Sequence, residues 1–439
     1  MTHRRGGTCR IFFSTTDQSG DEHAAALIAE IRRLRPDAEF AGLGGPRMAA
    51  AGCRLVAETT RRSAMWFDAF REIGRMWRIL QHTTRFWAAW RPDVFVPIDS
   101  PGINFPLARR ARSRGITNIY YIPPQIWAWG RWRLRKLRRL FERLLVALPF
   151  EESFYRDRGF DVEYVGHPLF DYVPRKTLSA DLRGELEVAP DETLIGLLPG
   201  SRRTEVQRHM PMLRDAARLI GERHANARFA VGAAGPGVLP IIEEILAGSD
   251  LNVPVLLDRT LELMRDARLC LVASGTATLQ LLHFATPMVI VYRLNGLEWH
   301  IMRLLKRSRY VGLVNVLAHR AGMHRNNRGH KPTMCVSGFP EPLVPELVTR
   351  RDRPEWVAEN ALPLLEDSPE RRATVEALRA LRAEVDHPGA VRHAAEAILC
   401  AATRAGGTGG APASGVSLSR PGRRVGGTLA DKPPVAPRA

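Results

Sequence analysis

The sequence predicts an α/β protein made of two doubly wound parallel-sheet domains with a cleft between them. Three observations carry this. Short β-rich runs alternate with amphipathic helical stretches along most of the chain, the pattern of βαβ units. Twice an apolar run breaks into a small-residue turn that can open a helix. Leu194–Leu198 meets Pro199-Gly200-Ser201-Arg202-Arg203-Thr204-Glu205, and Leu269–Ala273 meets Ser274-Gly275-Thr276-Ala277-Thr278-Leu279-Gln280. A buried strand, a tight turn and a helix N-terminus are where such folds hold phosphate. Either turn alone reads equally well as an ordinary connection, and Arg202 at the mouth of the first favours an anion site. Finally, a connector containing Pro and Lys near Tyr172–Thr177 separates two similar halves. The expected domains are residues 1–171 and 178–403, with the last helices of the second free to pack back on the first. Residues 404–439, rich in Gly, Pro, Ser and Arg, read as a disordered basic tail.

In chain order, the first half offers strands at Arg10–Thr15, Ala38–Leu43, Asp93–Asp99, Asn118–Ile122, Leu144–Leu148 and Val162–Val165. The polar segment Asp17–His23 leads into an amphipathic helix from Ala24 to Arg35, with Ala26, Leu27, Ile28 and Ile31 at helical spacing. The second half offers strands at Leu194–Leu198, Ala227–Val231, Pro254–Leu257, Leu269–Ala273 and Pro287–Tyr292, with helices at Met210–Glu222 and Leu239–Ala247.

With 439 residues, 45% of them hydrophobic, the chain can bury two substantial cores. Its five cysteines (Cys9, Cys53, Cys270, Cys335, Cys400) form no CxxC pair, which fits a reducing compartment. The basic N-terminus lacks a signal peptide's apolar core, and no run reaches the roughly 18 apolar residues of a membrane span. The expected location is therefore cytoplasmic. The formal charge of +18 lies mostly on the body, since the tail contributes only six basic residues against Asp431. This balance suits phosphorylated substrates, nucleic acid or acidic lipid surfaces. An arginine-rich coding bias produces the same balance without function, and no dedicated nucleic-acid motif is present.

Ala64–Trp90 departs from the α/β pattern. Trp66, Phe67, Phe70, Trp77 and Trp87 are interleaved with Arg71, Arg75, Arg78 and Arg85. Such a stretch can lie in a membrane interface with Trp at headgroup level. It can equally be a helix pair buried against a sheet with its arginines in water. Arg131–Arg143, with seven basic residues and the single acid Glu142, allows lipid-phosphate contact or a solvated helix face.

Together the motifs resemble the lipid-A-disaccharide synthase family from about residue 10 to 400. The resemblance is carried in order by Ser19-Gly20-Asp21 with His23, Gly44-Gly45-Pro46-Arg47-Met48 and Asp93–Asp99 with Pro101 and Asn104. It continues through Ile126-Trp127-Ala128-Trp129, Leu148-Pro149-Phe150-Glu151, Val165-Gly166-His167-Pro168, Leu198–Arg202 with Glu205, Ser274–Leu279, Asn315 and Val344-Pro345-Glu346-Leu347. It implies a GT-B-type fold and an inverting, metal-independent glycosyltransferase that needs no cofactor, peripheral on the inner face of the cytoplasmic membrane, and it suggests a homodimer. The implied donor is UDP-2,3-diacylglucosamine and the implied acceptor 2,3-diacylglucosamine 1-phosphate.

Inversion requires a base at the acceptor hydroxyl and stabilisation of the departing diphosphate. Asp99 ends a buried strand and matches the family's essential aspartate, so it is the expected base; taken without the family, a strand-end Asp more often caps local backbone. The expected UDP and substrate contacts are Asp17, Ser19, Gly20, Asp21, Gly200, Ser201, Arg202, Glu205, Ser274, Gly275, Thr276, Ala277, Thr278, Gln280 and Asn315. His167 is expected either to bind a phosphate or to link the domains. The chain departs from the family pattern at Asp17 (glutamate in the family), Gly102 (an acid), Gln280 (glutamate) and Thr349-Arg350 (Gln-Glu). It also inserts His319–Pro342. That segment holds His319, His324, His330 and Cys335 at a spacing that fits no zinc motif, and reads as a basic loop over the nucleotide site. Two other readings stay open: a related transferase or isomerase acting on another UDP-sugar, and a membrane-binding homologue that has lost catalysis.

Overall fold

The computed structural model describes residues 8–60, 69–128, 130–174, 178–249, 251, 253–296, 298–300, 310–323 and 342–407. Trp66, Phe67, Trp129, residues 175–177, His324, His330, Cys335 and the tail from 408 lie outside them, as does the side chain of Phe70.

The most apolar runs become the central strands. Ile11–Ser14 and Leu194–Leu198 are buried throughout, as a strand covered on both faces requires. In the N-terminal half, β1 (Arg10–Ser14), β2 (Glu39–Gly44), β3 (Arg54–Glu58), β4 (Val94–Pro97), β5 (Thr117–Tyr121), β6 (Arg143–Val146) and β7 (Val162–Tyr164) form a seven-stranded sheet ordered β3-β2-β1-β4-β5-β6-β7. In the C-terminal half, β8 (Thr193–Leu198), β9 (Ala227–Ala233), β10 (Val255–Leu257), β11 (Leu269–Ala273), β12 (Met288–Arg293) and β13 (Glu346–Thr349) form a six-stranded sheet ordered β10-β9-β8-β11-β12-β13. Phe13 pairs with Gly42 on one side and Val96 on the other, and Leu271 pairs with Leu197, all in parallel register. Strand order reverses between β1 and β4 and again between β8 and β11, so each half is a doubly wound domain with a switch point.

Two strands escaped the sequence reading. β3 is a partly exposed edge strand without a continuous apolar run. β13 lies inside Val344-Pro345-Glu346-Leu347, which read as a motif rather than a strand. The first helix is also longer than expected and spans Gln18–Leu34, so Ser19-Gly20-Asp21 forms its first turn instead of a loop.

Ala69–Trp90 is one helix with two faces. Leu80, Thr83 and Trp87 recur at helical spacing and turn inward. Trp87 is 1% exposed, edge-on to Phe12 at 5.1 Å and 5.4 Å from Phe95. Its expected membrane contact is corrected, because the indole is core. Trp77, on the other face, is 56% exposed. The helices Pro101–Arg112 and Leu134–Leu140 pack into the same layer through Phe105, Leu107, Leu137 and Leu140.

The opposite face of the N-terminal sheet is covered by Gln18–Leu34 and by the last helix, Ala390–Gly407, which returns from the C-terminal half. Val391, Ala394, Ala395 and Ile398 join Ile11, Phe13, Leu27 and Ile31 in one core. The carboxylate of Asp171 accepts from the amides of Gly389 (2.6 Å) and Val391 (2.7 Å), fixing the start of that helix.

The two-faced helix sets an expected outcome. Trp87→Ala should cost about 3–5 kcal/mol in urea unfolding, as for a large core aromatic. Trp77→Ala should stay within about 0.5 kcal/mol of the parent.

Candidate active site

Both switch points open onto one cleft. β1 delivers Thr16 and Asp17, β4 delivers Asp99 and Ser100, β8 delivers Gly200–Arg202, and β11 delivers Ser274–Thr276. Asp17 is the residue before the first helix, where an Asp side chain normally accepts from its own helix's amides. Here it makes no such bond. Instead Arg202 Nη2 donates to Asp17 Oδ1 across the cleft at 2.6 Å, and Ser100 Oγ donates to Oδ2 at 3.2 Å. A normal capping interaction has been diverted to join the two domains.

Asp99 occupies strained backbone. Asp99 and Ser100 have φ of 44° and 50°, the left-handed region that costs a non-glycine residue roughly 1–2 kcal/mol. The turn is pinned by its own carbonyl, which accepts from Asn104 Nδ2 (2.7 Å) and from the hydroxyl of buried Tyr120 (2.7 Å). Asn104 Oδ1 in turn accepts from Ser14 Oγ at 2.7 Å. The Asp99 side chain is open to water from the cleft yet surrounded by protein. Loss of hydration, then the negative charge of Asp17, push its pKa up to about 6, while the Ser100 amide and Arg202 pull it down.

On the opposite wall, Gly200 adopts φ +119°, and a Cβ there would meet Glu205 at 2.8 Å, so the turn requires glycine. Buried His209, which sequence reasoning missed, supports this turn. Its Nε2 accepts from the Arg293 amide (3.2 Å), so the proton lies on Nδ1 and is donated to the Pro199 carbonyl (3.3 Å). Burial lowers its pKa, in keeping with this neutral form.

Several of the expected contact residues make bonds within the protein. The Ser201 and Arg202 amides, expected to face a phosphate, both donate to Glu205 Oε2, and Glu205 Oε1 accepts from Arg202 Nη1 at 3.0 Å. Glu205 is thus a helix cap and a partner of Arg202. Asp21 is buried and accepts from the amides of Gly45, Arg47 and Met48, anchoring the short helix Pro46–Ala50. A Cβ on Gly20 would strike the Thr15 hydroxyl, so Gly20 serves close packing. Thr278 is buried and donates to the Gly275 carbonyl. Asn315 is buried, with Nδ2 donating to the Val344 carbonyl and Glu346 and Oδ1 accepting from the Val344 amide, so its polar atoms are committed to holding β13. His167 accepts from the Leu169 amide and packs edge-on to His23 at 5.5 Å. Burial, with His23 adding to it, lowers its pKa to about 3. The neutral imidazole meets Phe170 edge-on at 6.4 Å, and Phe170 in turn lies 6.1 Å from His283 of the second domain. Ser19, Ala277 and Gln280 lie at the cleft-facing ends of their helices, and Gly102 and Gly275 have open space where a Cβ would stand.

Glu151 is a further group that the sequence did not single out for chemistry. It accepts from Trp127 Nε1 (2.8 Å) and the Leu148 amide (3.1 Å), and burial raises its pKa to about 7. Trp127 and Leu148 belong to the core that continues into the second domain, so this carboxylate braces the domain seam.

Two doubly wound domains whose switch points face each other across a cleft define the GT-B architecture. The structure of UDP-GlcNAc 2-epimerase from Neisseria meningitidis bound to UDP-GlcNAc is similar, with a TM-score of 0.60, 13% identity, and coverage of 90% of this chain and 100% of that one; at that identity the likeness shows the fold alone. Residues 11–330 match the family model described as lipid-A-disaccharide synthetase. The lipid-A-disaccharide synthase of Azotobacter vinelandii is 36% identical over 91% of this chain and 100% of its own length, and that of Myxococcus xanthus is 33% identical over 89% and 97%. The chain belongs to the lipid-A-disaccharide synthase family.

The pinned turn carries its own test. Asn104→Ala should release the Asp99–Ser100 backbone and lower kcat tenfold or more, while the Kd for UDP stays within about twofold, because Asn104 touches only the first domain's wall.

Proposed function

We propose that the protein transfers 2,3-diacylglucosamine from its UDP donor to 2,3-diacylglucosamine 1-phosphate. The products are the β-1,6-linked disaccharide 1-phosphate and UDP. Beyond family membership, one observation supports the reading most. A carboxylate with a pKa near 6, on a strained turn, faces an arginine from the opposite domain across the cleft.

In this reaction Asp99 accepts the proton of the acceptor's C6 hydroxyl as that oxygen attacks the donor's anomeric carbon. The bond from that carbon to the diphosphate breaks on the opposite face, giving inversion, and the electron pair leaves with UDP. Arg202 balances the charge that develops on the diphosphate, aided by the Ser201 hydroxyl and the Ser274-Gly275-Thr276 turn. To do so it exchanges Asp17 for the diphosphate. Donor binding therefore draws Arg202 out of an existing ion pair.

The donor and acceptor are acylated, and one face of the N-terminal domain suits a membrane surface. Among the described residues, Met76, Trp77, Trp132 and Leu257 are the exposed large hydrophobics; Met76 and Trp77 stand on Ala69–Trp90, and Trp132 on the turn Arg131–Arg133 that leads into Leu134–Leu140. Trp132 is 60% exposed with Arg133 stacked over it at 5.6 Å. Next to it, Leu134 and Phe160 floor a cavity of about 430 Å³ walled by Arg135, Arg138, Arg139 and Arg158. Apolar rings bordered by guanidinium groups fit an anionic headgroup layer. No described helix is long and apolar enough to cross a membrane.

The deciding assay is acceptor-dependent UDP release in detergent. Asp99→Ala should lose about 10²–10⁴ in kcat; unchanged turnover would remove Asp99 from the role of base. For the parent, kcat/KM should rise with pH to a plateau above about 6, because the base works deprotonated. Asp17→Asn removes a neighbouring negative charge and frees Arg202, and both changes lower the Asp99 pKa, so the inflection should move to lower pH. In sedimentation with anionic phospholipid vesicles, the double substitution Trp77→Ala/Trp132→Ala should weaken binding at least tenfold with UDP affinity intact.

A further inference from the structure

At the far end of the C-terminal sheet from the cleft lies a second cavity, of about 570 Å³. Thr193, which begins β8, and Ala267 and Arg268, which precede β11, line it, so it opens at the strand ends opposite the switch point. β8 alone separates the two ends by roughly 20 Å.

Three arginines from three different segments meet there, and each is held by backbone carbonyls. Arg371 Nη1 donates to the carbonyls of Arg268 (2.8 Å) and Leu364 (2.7 Å). Arg268 Nε donates to the Leu365 carbonyl. Arg183 Nη2 donates to the carbonyls of Ala189 and Glu192, both at 2.9 Å. Each guanidinium is thus anchored along one edge, with other N–H groups left over for a ligand.

None of the three forms an ion pair with a described residue, and the acids nearby are spoken for. Glu192 pairs with Arg228, Asp266 with Arg265, and Asp367, near Arg371, with Arg372. Asp191 stands exposed at the rim. Burial, then the adjacent charge of Arg268, lower the pKa of Arg371 to about 10 against the opposing pull of Asp367. The carboxylates that offset these guanidinium groups, Glu192 beside Arg183 and Asp367 beside Arg371, already pair with other arginines, and an oxyanion with several acceptor oxygens adds the direct partner that the three lack. The volume falls within the range of small-molecule sites.

We propose that this cavity is a second anion site, separate from the catalytic cleft, that takes the phosphoryl group of a phosphorylated small molecule through Arg183, Arg268 and Arg371. It does not depend on the reaction assigned above, and its test reads binding, not turnover.

The probe is inorganic pyrophosphate, titrated calorimetrically into the full chain carrying Arg202→Ala, which removes the cleft's guanidinium from the measurement. Binding should persist in that background. It should weaken at least tenfold on adding Arg371→Gln or Arg183→Gln, and fade with rising salt. Because both arginines also hold carbonyls, Asp191→Asn supplies a readout that loss of folding cannot imitate: removing the rim's negative charge should tighten binding by a few-fold. No pyrophosphate binding in the Arg202→Ala chain, or equal affinity in all variants, overturns the proposal. A parallel arm uses anionic phospholipid vesicles. Unchanged vesicle binding by Arg183→Gln supports a soluble ligand, whereas loss of vesicle binding with pyrophosphate affinity retained assigns these arginines to a lipid surface and overturns it.

Discussion

Two carboxylates share one cleft, and only a cation between the domains makes that tolerable. Asp17 and Asp99 repel each other, and Arg202, arriving from the other sheet, offsets the charge of both. The arrangement ties the state of the base to the position of the second domain, because the guanidinium that steadies Asp99 stands on the far wall. The strained backbone beneath Asp99 serves the same end. Asn104 and Tyr120 hold a turn that the chain would otherwise relax, so the carboxylate faces the cleft instead of folding back to cap its own helix.

Much of the fold was legible in the sequence because doubly wound sheets write their central strands as unbroken apolar runs, and β1, β4, β8 and β11 fall where such runs were read. The edge strand β3 and the short β13 were not, since an edge is apolar on one side only and four residues leave little periodicity to find. The loops of the cleft were also legible, because glycine and hydroxyl residues at strand ends mark a turn whatever it binds. The direction of each side chain was not. Asp21, Thr278, Glu205 and Asn315 look like ligand groups in a motif, yet each satisfies backbone amides or carbonyls nearby. A residue that builds a binding loop and one that touches the ligand have the same chemistry, and only geometry separates them.

The helix Ala69–Trp90 teaches the same lesson with aromatic rings. Its abundance of tryptophan supported two incompatible readings of the whole stretch, a membrane surface or a buried layer. The structure divides it by face, with Trp87 inside against Phe12 and Trp77 outside. Periodicity separates these two positions only once the neighbouring sheet fixes which face is inward. His209 was hidden because it holds a turn ten residues away with no local pattern to announce it, and Glu151, though part of a quoted motif, showed nothing of its bond to Trp127, 24 residues earlier.

The helix Ala390–Gly407 closes the core of the first domain although it is made long after the strands it covers. During translation, the face formed by Ile11, Phe13, Leu27 and Ile31 emerges long before Val391, Ala394 and Ile398 exist to cover it. At about 5–20 residues per second, the wait lasts on the order of ten seconds or more. Over that interval the nascent chain carries an uncovered apolar face, a target for trigger-type chaperones and a liability for aggregation. The N-terminal domain is completed only once residues 390–407 have been made, and a chain cut short before residue 390 loses the cover of its first domain's core.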